Sequence, residues 1–573
     1  MKWLCLCCVA AVTFVVPMAD AQDDLPWWRT AVFYQVYPRS FKDSNGDGVG
    51  DLKGITEKAE YLSELGVTAI WISPIFKSPM ADFGYDISDY RQIDPIFGSM
   101  EDFKDLSEKL KNLNIKLLLD LVPNHSSDEH EWFQKSIRRQ DPYTDYYVWH
   151  DGKRDNVTNK RIPPNNWVSM FTGPAWTWNE ERGQYYLHNF DKKQPDLNYR
   201  NPAVVREMDD VIRFWLDLGV DGFRVDAVAF LFEDEQLRDE PVLEDGQQDR
   251  IYTQHLPETL EVLRHWADIV YNYTVKDGKP RALFAEVYAD IPTTLKYYGE
   301  GNQNLLQPFN FQLLTSGNAS TRASELKDLI LTWVDALPSG TTPNWVIGNH
   351  DQGRIADKYG PEMVDAMNLL TGVLPGVKVV YNGEEIGMQN TFIRWDQTVD
   401  PIGQQLGPYR YQVGSRDPER TPMQWDDSPN AGFSSSKTTW LPVNPNYWRL
   451  NVEAQRSAES SHLKVFQAMT AVRNTYVLLH GDLSVLAPDD DTLVIVRTYQ
   501  NSSIVLLINM GSYITNYTTQ NLFSPLNLDF DMSVVTASVH SGIKPGTVVK
   551  KGAANLILRP KSAVLLQHIT YIL

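Results

Sequence analysis

The chain has 573 residues, 42% hydrophobic and 22% charged, the make-up of a water-soluble globular protein long enough for more than one domain. Its 53 Lys and Arg against 73 Asp and Glu give a net charge of −20, which argues against nucleic acid or an anionic membrane surface as partner. A neutral substrate stays open, and the 17 Trp supply rings of the kind that sugar sites, and large cores, both use.

Residues 1–21 read as a secretory signal: Lys2 is the basic start, Leu4 to Val16 the apolar run, and Ala19-Asp20-Ala21 the cleavage site. The run is short for a membrane anchor. Cys5, Cys7 and Cys8 all lie inside it, so the mature chain is expected to form no disulfide and to rely on its core. Sequons at Asn156, Asn272, Asn318, Asn501 and Asn516 fit secretion. Asn124-His125-Ser126 matches too, but is expected to be buried at a strand end.

From Ala31 onward, apolar strands alternate with segments of helical period. Strands are predicted at Ala31–Pro38, Val67–Ile75 and Ile115–Val122, with helices over Leu52–Leu65 and Met100–Leu113 between them. The third strand, IKLLLDLV, is nearly all apolar, as burial on both faces requires. Between Ser126 and Arg200 the rhythm breaks into a Trp-, Tyr-, Asn-, Asp- and Pro-rich stretch, read as an inserted subdomain. It resumes with strands at Val220–Val228, Ala282–Val287, Pro308–Leu314, Asn344–Gly348 and Val377–Tyr381. The helices between them are Val204–Leu218, Leu256–Tyr273, Ala323–Leu337 and Met363–Leu374.

Eight such repeats predict an α/β fold, a (β/α)8 TIM barrel over residues 22–125 and 201–484, interrupted by the insert at 126–200. A loop-rich stretch from Gly387 to Arg456 and a helix over Ser461–Asn474 follow. Residues 485–573 read as an antiparallel β-domain. The terminal AVLLQHITYIL is short, broken by Gln567 and His568, and reads as its last strand. A lipid-anchor signal would want a polar spacer and a longer apolar tail.

Two features carry chemistry by their own pattern. Before the first helix, Asp43, Asn45, Asp47, the Val49 carbonyl and Asp51 offer oxygens at alternating positions with glycines between, which suits structural Ca²⁺. Gly54 stands where a full EF-hand has its glutamate, and an Asx-rich turn capping a helix is the alternative. The second is GVDGFRVDAVA (219–229). Arg224 and Asp226, two apart on a strand, share a face, and the arginine favours the ionised carboxylate that a nucleophile needs. For this stretch alone, a buried structural pair is the alternative. Further acids end two later strands: Glu286 in FAEVY and Asp351 in GNHD. Three carboxylates at three strand ends point to the active-site mouth of a barrel.

GFRVDA, FAEVY and GNHD, with DLVPNH (120–125) and QPDLN (194–198), resemble the signature regions of the α-amylase family of glycoside hydrolases. QPDLN, YDISDY (85–90) and SRDPERTPMQW (415–425) narrow the resemblance to its α-glucosidase and oligo-1,6-glucosidase branch, and to insect secreted maltases within it. The resemblance implies a retaining mechanism with Asp226 as nucleophile, Glu286 as acid and base, and Asp351 stabilising the distorted sugar. It places Asp86, His125, Arg224, His350 and Arg416 around the terminal glucose, with Phe190 and Gln194 nearby and Arg420 orienting neighbours. It also implies a possible second Ca²⁺ site at Asn124 and Asp196, completed by Glu233 and the carbonyls of Phe230 and Leu231; some relatives hold Mg²⁺ in the first. Ala227, after the nucleophile, matches neither the Thr nor the Val that helps set linkage preference in relatives, so that preference stays open. The expected partners are small α-glucosides, with a further receptor role left open; the chain is expected to be a monomer or homodimer.

Overall fold

The computed structural model describes residues 25–299, 305–518, 530–552 and 555–569. The segment read as a signal, with its three cysteines, lies outside them, as do residues 570–573.

Eight short strands form one parallel sheet. They are β1 (Val32–Val36), β2 (Ala69–Ile72), β3 (Lys116–Leu121), β4 (Gly222–Val225), β5 (Ala282–Ala285), β6 (Leu306–Pro308), β7 (Asn344–Trp345) and β8 (Val377–Tyr381). Their order is β6-β5-β4-β3-β2-β1-β8-β7, a ladder that runs round the barrel and stops between β6 and β7. A side chain spans that seam. Asn344 Oδ1 accepts from the Asn310 N–H at 2.7 Å, and Asn344 Nδ2 donates to the Pro308 carbonyl at 2.7 Å. Two backbone groups that a ladder would have paired are thereby satisfied.

Alternation along the strands sorts two cores. Phe33, Trp71, Leu118 and Phe284 pack together in one cluster, and Tyr34, Ile70, Leu119 and Leu283 join the cluster that includes the surrounding helices. The sixth strand departs from the sequence reading. It ends where the predicted span begins, and Gln312–Thr315, at the end of that span and one residue past it, is a helical turn. Phe309, Phe311, Leu313 and Leu314 are buried there without a ladder, and a short apolar run reads alike as strand or buried turn. The first predicted helix is broken into Leu52–Glu57 and Ala59–Glu64.

Between β3 and β4 the chain forms a helix (Glu131–Ile137) and a three-stranded sheet around Trp167, Trp176 and Tyr185. The C-terminal region is a six-stranded antiparallel sheet running from Asp482–Leu486 at one edge to Val548–Val549 at the other, with Ser562–His568 inside it. No helix of the described residues is long and apolar enough to cross a membrane.

Candidate active site

Along β4, Phe223 and Val225 join the helix-side cluster, so alternation turns Arg224 into the barrel, in register with Asp120 of β3. Its guanidinium serves three carboxyls. Nη1 lies 2.8 Å from Asp120 Oδ1 and 2.5 Å from Asp226 Oδ1, and Nη2 lies 2.5 Å from Glu286 Oε1. Asp226 and Glu286 each follow a strand by one residue. Their N–H groups carry the ladder one step further, to the Leu121 carbonyl at 2.8 Å and the Val225 carbonyl at 3.0 Å. The chain then turns sharply at Ala227, whose φ of 48° is left-handed and costs an alanine about 1 kcal/mol. That turn aims the Ala227 N–H at Glu286 Oε2, 3.0 Å away.

Asp351 enters from beyond β7. Its Oδ1 lies 2.6 Å from Arg420 Nη2 and 3.3 Å from Arg416 Nη1. Asp226, Glu286 and Asp351 keep 10%, 11% and 22% of their side-chain surface open, whereas Asp120 keeps none, so the three acids that followed from strand ends reach solvent and Asp120 does not.

Burial pushes Asp226 up to about 7 and Glu286 up to about 8, against the downward pull of Arg224 on both. Burial also acts on Asp351, but its charged surroundings (His350, then Arg420 and Arg416) outweigh it and hold the carboxyl well below the usual range. Burial keeps His350 itself neutral, so we assign that attraction to the two arginines. His350 is fixed by Gln35 Nε2, 2.8 Å from its Nδ1, and Tyr85 Oη, 2.7 Å from its Nε2.

The remaining predicted pocket residues form one connected set. Asp86 accepts from the Ser78 hydroxyl and the N–H groups of Ala81 and Asp82, and burial pushes it up to about 6. Asp82 accepts from Arg416 at 2.8 Å and from Gln194 Nε2 at 3.2 Å. Gln194 reaches His125 at 3.1 Å, and the His125 ring lies 5.1 Å from that of Phe190. Asp400 grips Arg416 from the far side, with Nε at 2.9 Å. Asp120, Tyr85, Asp82 and Asp400 were not assigned from the sequence. Asp120 and Tyr85 stand inside motifs already quoted; nothing local marks the other two.

Residues 35–481 match the family described as alpha amylase, catalytic domain. The chain belongs to the alpha-amylase family. It is 47% identical to Maltase 1 of Drosophila virilis, over 95% of this chain and 88% of that protein. It is 42% identical to the salivary alpha-glucosidase of Aedes aegypti, over 96% and 97%. Among solved structures it is similar to the alpha-glucosyl transfer enzyme XgtA, at 35% identity and a TM-score of 0.82, covering 95% of this chain and 100% of that one. The expected (β/α)8 architecture and the family membership thus both hold, and the protein is a glycoside hydrolase.

This alpha-amylase-family chain treats its two expected ion sites differently. In the loop, Asp43 accepts from the N–H groups of Asn45, Gly46 and Gly48 and the Ser434 hydroxyl, and Asp51 from Ser44 and Gly54. Asn45 and Asp47 cap the N–H groups of Asp47 and Val49. All four acceptor sites of Asp43 are used, three of them in turning the chain. Among the described residues no three His, Cys, Asp or Glu side chains form a metal-binding group. The loop has the donor chemistry of Ca²⁺, and its carboxylates here accept from their own backbone.

At the other site Asn124 Oδ1 is buried with no hydrogen-bond partner, beside Asp196, to which Asn124 Nδ2 donates at 3.2 Å. Burial, with Glu233 adding to it, pushes Asp196 up to about 8, and burial pushes Glu233 up to about 7. A donorless oxygen beside two buried, mutually repelling carboxyls fits a hard cation.

Proposed function

We propose that this protein is a secreted, exo-acting, retaining α-glucosidase that releases glucose from the non-reducing end of maltose and short malto-oligosaccharides, and that also cleaves sucrose. The observation that carries this reading is the shared grip of Arg224 on Asp226 and Glu286. One planar guanidinium holding both carboxyls supports the close spacing, roughly 5 Å, that retention needs, rather than the wider gap that admits a water in inversion. The relatives named maltase and salivary alpha-glucosidase support the substrate class and the secretion.

In the first half-reaction the Asp226 carboxylate attacks the anomeric carbon. The bond to the leaving oxygen breaks, and Glu286 donates its proton to that oxygen. In the second, Glu286 takes a proton from water, the hydroxide displaces Asp226, and α-glucose leaves. Asp351, ionised throughout, faces the positive charge that develops on the sugar ring. Arg416, clamped by Asp82 and Asp400, closes the pocket around one terminal unit. Gln405 Nε2, donating to Asp191 Oδ2 at 2.8 Å, ties the post-barrel loop to the insert. Both contacts support exo action.

The test is an NMR time course on maltose, isomaltose and sucrose. α-Glucose appearing first from maltose is the expected result. β-Glucose first means inversion and overturns the role of Asp226. No turnover by folded protein moves the reading to a receptor or binding role.

We also propose a structural Ca²⁺ held by Asn124, Asp196, Glu233 and the carbonyls of Phe230 and Leu231. The Asp43–Asp51 loop would have to release hydrogen bonds to take an ion. An ion at a hundred times its Kd stabilises by about 2.7 kcal/mol. EDTA is therefore expected to lower the Tm of the wild type, CaCl2 to restore it, and Asn124→Ala to blunt both changes. A Tm indifferent to chelation counts against the ion.

A further inference from the structure

We propose that Asp400 is a positioning residue that aims the Arg416 guanidinium, so that one N–H of that arginine is left for the terminal sugar. The inference rests on the α-glucosidase reading, in which Arg416 closes the pocket around a single unit.

The Asp400 side chain is fully buried, so it cannot touch a substrate. Among the described residues, every hydrogen bond its carboxylate accepts comes from Arg416. Oδ1 takes Nε at 2.9 Å and Nη2 at 2.5 Å, and Oδ2 takes the Arg416 backbone N–H at 3.1 Å. Asp82 and Asp351 also meet this guanidinium, but each serves a second side chain, Gln194 for Asp82 and Arg420 for Asp351. A carboxylate is costly to bury, and one whose bonds all go to a single arginine holds that arginine in one register.

Asp400 is itself fixed. Its backbone N–H and that of Val399 donate to Asp417 Oδ2, at 3.2 and 2.9 Å. It directly precedes the short helix Pro401–Leu406, whose Gln405 donates to Asp191 of the insert. Phe171, also of the insert, has its ring centre 4.9 Å from Arg416 Cζ. The Phe171 ring thus backs the guanidinium while Asp400 holds its Nε edge.

Arginine carries five N–H donors in a rigid fork. Nε spends its one on Asp400. Nη2 spends one on Asp400 and one on Asp82, at 2.8 Å. Nη1 spends one on Asp351, at 3.3 Å. The second Nη1 proton meets no group of the described residues, and 12% of the side chain stays open. A sugar hydroxyl is the neutral acceptor that suits it, in a wall where carboxylates have taken the rest. Because the fork is planar, fixing Nε and Nη2 fixes where this last proton points. Without Asp400 the guanidinium pivots toward Asp82 and Asp351 and carries that proton off the hydroxyl.

Asp400→Asn keeps the shape but removes the charge that grips the fork. KM for maltose is expected to rise about tenfold or more while kcat stays within about threefold, because the lost contact serves ground state and transition state alike. A merely structural role would lower Tm and kcat and leave KM in place, and that outcome overturns the proposal. Arg416→Lys keeps the charge without the fork and is expected to raise KM at least as much. Adding Asp400→Asn to it should change KM no further, since Asp400 acts only through the fork. Factors that multiply would mean independent action and would also overturn it.

Asp400→Glu, with the charge kept but displaced by a methylene, is expected to raise KM by less, which covers the case in which Asp400→Asn fails to fold; an unmoved KM there counts against the proposal. Calorimetry with 1-deoxynojirimycin, a glucose-shaped amine, reads the same loss without turnover, as a Kd weakened about tenfold. A wild type that binds this amine but cleaves no maltose refutes the α-glucosidase reading, while the titration still tests Asp400. A wild type that does neither removes both, and a Kd unmoved in the variant overturns the role of Asp400 alone.

Discussion

Asp226→Asn is expected to abolish turnover while leaving the protein folded, with no loss in Tm. The kinetic loss should be at least about 10⁴-fold, on the order of 5 kcal/mol of transition-state stabilisation, because the amide cannot form the covalent intermediate and no neighbouring carboxyl is free to replace it. Glu286 is committed to the leaving oxygen and Asp351 to its arginines. The stability follows from the sign of the shift. Burial raises Asp226 to about 7, above its value in an unfolded chain, so the native state prefers the protonated form. Its favourable contribution is therefore present at low pH and is lost as pH rises toward 7. Near neutrality the charge is a cost that Asn removes, while Arg224 keeps Asp120 and Glu286. Retained activity would remove Asp226 from the nucleophile's role. A sharp fall in Tm would show that the Arg224–Asp226 pair is chiefly a structural tie.

How far the sequence reveals this site depends on how far apart its members stand. Strands buried on both faces are apolar throughout, so seven of the barrel strands lie inside the spans expected of them, and the acids closing β4 and β5 follow directly. The sixth strand was displaced because PFNFQLL buries its rings as loop and turn, which no periodicity distinguishes from a strand. Asp226, Glu286 and Asp351 stand out because each ends an apolar run. The groups that set their charges do not. Asp82 meets Arg416 across 334 residues and Asp120 meets Arg224 across 104, and neither pairing leaves a local pattern. The Asp43–Asp51 loop shows the converse difficulty. Oxygens alternating with glycines are what an ion cage requires, and equally what a stack of Asx turns requires, and here the side chains bond their own backbone.

Gly222→Ala is expected to be among the most damaging single methyls in the barrel, either preventing folding or lowering stability by about 4 kcal/mol or more. Gly222 has a φ of +147°, and a Cβ there would lie 2.0 Å from the Ala282 carbonyl oxygen. Ala282 is its register partner on β5, so the obstruction is backbone and no rotamer relieves it. Gly219→Ala is the control. It too has a positive φ, +94°, but nothing stands within 4 Å of its Cβ, so it should cost only the backbone term, about 1 kcal/mol. Urea midpoints of the two variants separate conformational strain from close approach; equal losses would mean that β4 and β5 are not as tightly apposed as drawn. If the Gly222 variant does fold, the strands must part at the pair that delivers Asp226 and Glu286 to one guanidinium. Its activity is then expected to fall by more than its lost stability explains, because a shift of an ångström between those carboxyls disrupts the geometry on which retention depends.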